Sequence, residues 1–108
     1  MVEKVKIVRN DAVTLAEKTA ITTNGVDVDF SGMDDRTLLL VTSTAAADVK
    51  LTIAKGTGIQ AVGDGTVNVP AGKTVGIVLE SAKYKKLSDG TVNIKASATG
   101  TSVQVIEL

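Results

Sequence analysis

Four aspartates, Asp27, Asp29, Asp34 and Asp35, fall close enough in the chain to suggest a site for a hard cation such as calcium. Asp27 and Asp29 share one strand face. The twelve-residue calcium-loop spacing is absent, however, and no Glu closes the loop, so a solvated acidic face is the favoured reading. The same carboxylates could act as an acid and base pair in glycoside hydrolysis. That chemistry wants a cleft with aromatic sugar platforms, and Phe30 and Tyr84 are the only aromatic residues. Lys83, Lys85 and Lys86 around Tyr84 are the complementary cluster. A basic patch with one aromatic can touch nucleic acid. Three lysines in a chain of no net charge read better as a solvated edge that blocks strand-to-strand aggregation.

Two glycine-bearing segments mimic nucleotide motifs. Gly72-Lys73-Thr74 resembles the end of a phosphate loop, but Val67 stands where that motif needs its first glycine. The segment also joins two strand-like runs and opens no helix, so its amides form no phosphate cradle. Gly56, Gly58 and Ala61 match a loose dinucleotide fingerprint, yet Gly63-Asp64-Gly65 forbids the helix that must follow. Ser and Thr are plentiful, but a hydroxyl nucleophile needs a base, and the chain holds no His and no Cys. Missing with them are the side chains that most often move protons, form covalent intermediates or bind transition metals near neutral pH. The expectation is no catalytic residue, no cofactor-binding residue, no metal ligand, no cofactor, and no enzyme.

Composition narrows the partners. Twelve basic and twelve acidic residues cancel, which argues against a nucleic-acid binder and against an anionic membrane surface. A neutral protein has little colloidal repulsion, a tolerable state for one that assembles. The chain has no cysteine and so no disulfide framework, and its first residues show no apolar signal region. Leu38 to Val41 is the longest aliphatic run, far too short to span a bilayer. With 108 residues, 44% of them hydrophobic, and a mean hydropathy of +0.23, one domain with an aliphatic core is expected.

Positioning falls to short strands. Apolar residues alternate at Val5 and Ile7, at Val26, Val28 and Phe30, and at Val49, Leu51 and Ile53. The same period runs through Val75, Ile77 and Leu79, and through Val92, Ile94, Ala96 and Ala98. Residues 36–43 are nearly continuous in their apolar middle and read as a central strand covered on both faces. Thr66 to Val69 is a short strand, and Ser102 to Leu108 is the last. In that last strand the apolar phase slips between Val105 and Ile106, which calls for a bulge or for burial of both faces. Asn24-Gly25, Pro70 to Lys73, Asp89-Gly90 and Thr99-Gly100 supply turns. Residues 12–20 admit a short helix capped by Asn10 or Asp11, although their Thr and Val content favours extended chain. Asp64-Gly65-Thr66-Val67-Asn68-Val69 recurs as Asp89-Gly90-Thr91-Val92-Asn93-Ile94, one turn-and-strand solution used twice. The pattern predicts an all-β, antiparallel β-sandwich or jelly-roll-like domain over residues 1–108, with about eight or nine short strands.

From Arg36 to Leu108 the chain runs Arg-Thr-Leu-Leu-Leu-Val, then Thr52-Ile53, then Thr-Val-Asn-Val-Pro-Ala-Gly-Lys-Thr over 66–74. An aliphatic strand follows to Leu79-Glu80-Ser81, then Lys83-Tyr84, Asp-Gly-Thr-Val-Asn-Ile over 89–94, and a terminal Val-x-Val-Ile strand. This two-thirds of the chain resembles the small β-sandwich virion proteins with which tailed bacteriophages decorate or cement their capsids or build tail and fibre parts. The resemblance implies a non-enzymatic structural protein on the virion's capsid surface, made in the host cytoplasm, whose partner is the major capsid protein. It also implies a homo-oligomer, with a trimer suited to a three-fold junction, and an N-terminal arm over residues 1–24. It carries no functional residue across. A tail or fibre module that binds host glycans, and an adhesion module of a bacterial surface protein, are the alternatives.

Overall fold

The computed structural model describes residues 1–59, 61 and 63–108, and of Asp34 the backbone alone. Among the described residues nine strands run in chain order: β1 (Lys4–Lys6), β2 (Thr19–Ala20), β3 (Val26–Asp29), β4 (Thr37–Ser43), β5 (Val49–Ile53), β6 (Gly65–Val69), β7 (Thr74–Ile77), β8 (Thr91–Ala96) and β9 (Thr101–Glu107). A single helical turn, α1 (Ser81–Tyr84), and a 3-10 turn at Asp34–Arg36 interrupt them.

The strands form two sheets. One has the order β1-β9-β4-β7, with β2 also on the outer edge of β9, and the other has the order β3-β8-β5-β6. Numbered one to eight from β2 to β9, the strands pair 1-8-3-6 in one sheet and 2-7-4-5 in the other, which is the jelly-roll arrangement. Among the described strands β5 and β6 alone make a hairpin within one sheet; the chain otherwise passes from sheet to sheet between β2 and β9. Pairing is antiparallel except at the N-terminus. There β1 runs parallel to β9, with Lys4 opposite Val105, and Val2 bridges in parallel to Val28 of the other sheet.

Each strand contributes one face to the core because side chains alternate across a strand. Leu39 and Val41 of β4, Leu51 and Ile53 of β5, Val92 and Ile94 of β8, and Val103 and Val105 of β9 are almost fully buried between the sheets. Phe30 is completely buried there, the largest side chain of an otherwise aliphatic interior. Each such burial removes apolar area worth roughly 1.5–3 kcal/mol from water.

Three local expectations are corrected or resolved by these contacts. Residues 12–18 form no helix, and β2 follows them. Strand β4 is central, as its apolar run suggests, but only one face is fully buried; Leu38, Leu40 and Thr42 on the outer face stay half-buried. The phase slip in β9 is burial of both faces. Its ladder with β4 is unbroken from Thr37 opposite Glu107 to Ser43 opposite Thr101, so no bulge intervenes. Ile106 lies on the outer face, opposite Leu38 on one side and Val5 on the other, and is 7% exposed.

Candidate functional site

The acidic residues prove to be local fasteners. Asp27, on the outer face of the edge strand β3, accepts hydrogen bonds at Oδ1 from Asn93 Nδ2 at 3.0 Å and from Lys86 Nζ at 3.2 Å. The Asn93 bond, and then Lys86, hold the Asp27 carboxyl below the usual aspartate range against the opposing effect of burial. Burial works the other way on Asp29 too, but the Ser31 hydroxyl and amide outweigh it, with Lys4 and Lys85 helping, and its carboxyl is also held low. Those Ser31 bonds are 2.7 Å and 3.0 Å long. Asp35 sits exposed on the 3-10 turn, and the side chain of Asp34 lies outside the described structure. Among the described residues no three acidic side chains gather where a cation could be held.

The repeated hexapeptide does one job twice. Its two strands, β6 and β8, flank β5 in the same sheet, and in each the Asn on the outer face donates to an aspartate. Asn68 Nδ2 reaches Asp48 at 3.3 Å as Asn93 reaches Asp27. The copies are offset, because Ile53 faces Gly65 in β6 but Ile94 in β8. Gly90 needs glycine for its positive φ of 70°, whereas a Cβ at Gly65 would lie 2.6 Å from the Tyr84 hydroxyl and would push the tyrosine ring aside. The repeat supplies the asparagine each time, but its own Asp64 and Asp89 bond the Lys55 amide and Thr91, and the partner aspartate depends on which strand lies alongside.

The lysine cluster is likewise dispersed. Lys83 lies 3.8 Å from Glu80, and Lys86 pairs with Asp27. Tyr84 between them is half-buried against the core, its ring over Gly65, and offers no open stacking platform. Gly56 is buried where its loop meets the end of α1; its N–H donates to the Lys83 carbonyl at 2.8 Å. No helix follows Gly56, Gly58 and Ala61 among the described residues, and Gly72-Lys73-Thr74 is a turn into β7.

An open cleft of about 310 Å³ is lined by Met1, Val2, Thr19, Gly25, Val26 and Asp27. Among the described residues that line it, Asp27 is the one with an ionisable side chain, and it is already engaged by Asn93 and Lys86. Among the described residues Thr101 Oγ1, at the start of β9, is the one buried side-chain oxygen or nitrogen with no hydrogen-bond partner.

What the surface does offer is apolar side chains and open strand edges. Val78 is 63% exposed just after β7, Leu87 is 68% exposed after α1, and Ile59 is fully exposed on the loop between β5 and β6. The sequence carried a signal for Val78, which stands out of phase with Val75, Ile77 and Leu79. Strands β6 and β7 end their sheets, with no described strand beyond them. No helix among the described residues is long and apolar enough to cross a membrane. Searches of protein-family models, curated proteins and solved structures return no match to this chain.

Proposed function

We propose that this protein is a non-enzymatic structural component of a virus particle, a decoration or cement protein that binds across subunits of a phage capsid. The observation that supports this reading most directly is the division of its surface. The carboxylates of Asp27, Asp29, Asp48 and Asp89 hold the protein's own loops and strands, while Val78, Leu87 and Ile59 project into solvent. Exposed apolar side chains beside open strand edges are suited to face packing and strand addition. The partner is the major capsid protein. Each copy adds a modest contact, and repetition over a shell makes the coat hard to strip, because a loosened copy is held by neighbours still bound.

The test is co-sedimentation of the purified protein with expanded capsids of the phage that encodes it. Saturable uptake at a fixed copy number per capsid subunit, with raised resistance of the shell to heat, is the expected result. Failure to co-sediment, combined with binding to host glycans, would overturn it in favour of a tail or fibre module.

A further inference from the structure

We propose that two copies of this protein pair through β7, antiparallel and across a two-fold axis at Gly76, joining their five-stranded sheets into one. This inference is independent of any capsid.

The other edges are guarded. The β1 edge carries Lys4 and Lys6, the charges that natural sheets place on edges to prevent association. The β3 edge is covered by the chain's own N-terminus, where Val2 donates to the Asp27 carbonyl and accepts from the Asp29 amide, both at 2.8 Å. Strand β6 runs between Asp64 and Pro70, which has no N–H, and Asp48 is bound against Asn68.

Strand β7 has no such guard. From Thr74 through Val78 it reads Thr-Val-Gly-Ile-Val, without charge or proline. The Ser43 amide donates to the Lys73 carbonyl at 2.9 Å. Alternation along an antiparallel ladder therefore turns the main-chain groups of Val75 and Ile77 toward β4, and those of Thr74, Gly76 and Val78 toward the open edge. Beyond the end of β7, Glu80 has extended backbone, at φ −80° and ψ 120°. Centring a second copy on Gly76 pairs Gly76 with itself and Thr74 with Val78 of the second copy, in hydrogen-bonded register. Val75 then faces Ile77 of the second copy on the inner side.

One feature fits that centre. Gly76 has no positive φ, and a Cβ there would meet only the tip of Leu38 at 3.3 Å, so the monomer's backbone does not demand glycine. Glycine inside a strand often marks close approach of another backbone. A contact of this kind is self-complementary and closes at two copies, whereas a trimer needs two different surfaces on each copy.

Sedimentation equilibrium between roughly 1 μM and 1 mM, a range that captures weak edge contacts, tests this directly. A reversible monomer–dimer equilibrium is expected. Val78→Lys and, separately, Thr74→Lys should raise its dissociation constant at least about tenfold with an unchanged circular dichroism spectrum, since lysine on an edge strand opposes pairing. A protein monomeric throughout, a trimer, or a dimer indifferent to both lysine variants would overturn the proposal.

Discussion

Asp27 receives an amide donor from Asn93 and an ammonium from Lys86, and both favour its charged form. Asp89, which accepts from the Thr91 hydroxyl at 2.7 Å, and Asp29 are shifted the same way. Folded carboxyls held below their unfolded value, about 3.9 for aspartate, contribute stability that is complete above that value. It is lost as pH falls through the lower folded values. The urea midpoint should therefore fall as pH drops from about 4.5 toward 2.5. Asp27→Asn keeps an oxygen for both donors but cannot titrate, so it should flatten that slope. Because the Asp27 side chain is 39% exposed, solvent screening limits its loss near neutral pH to about 1 kcal/mol or less. Chemical unfolding followed by circular dichroism across that pH range checks both statements, and an unchanged slope in Asp27→Asn would exclude a titrating role for this residue.

Among the elements, α1 is the one the sequence conceals. Its four residues have no apolar period of their own, and no side chain caps its start. The turn is held from outside: the loop after β5 donates to it through the Gly56 and Thr57 amides, and Lys86 bridges to Thr91 at the start of β8. The contact at Gly56 is so close that a Cβ would lie 2.3 Å from the Lys85 carbonyl oxygen. Main chain cannot swing aside as a flexible side chain can. Gly56→Ala should cost about 2–4 kcal/mol, at or above the upper end of ordinary overpacking. Gly63→Ala, with open space around its Cβ position, should cost less than about 1 kcal/mol. Thermal or urea unfolding of the two variants compares them, and equal losses would show that α1 does not dock through Gly56.

At the scale of the molecule, the jelly roll joins distant parts of the chain. β3 pairs with β8, β4 with β9, and β1 with β9, so all three ladders close long loops. Loop closure must precede the contacts that reward it, and sandwiches of this kind fold in about milliseconds to seconds. Stopped-flow refolding from urea should fall in that range, and a main phase in microseconds would contradict a transition state built on these pairings. The N-terminus belongs to the same closure. Val2 is buried against β3 and Lys4–Lys6 lie on β9, so six residues tie the two sheets together along one side.

The sequence by itself determined the class of this protein: an all-β domain with an aliphatic core, its strands placed by two-residue alternation at Val49–Ile53 and Val92–Ala96 and its turns by Asn-Gly and Asp-Gly. These are properties of neighbours in the chain, and a period needs no partner to be visible. Tertiary structure alone decided that Asp27 is paired with Lys86, that Ile106 is covered on the outer face by Leu38 and Val5, and that Tyr84 folds over Gly65. It decided as well which edges are shut by Val2 and which are left open at β7. Each of these depends on which strand lies alongside which, and alternation is the same whatever the neighbour.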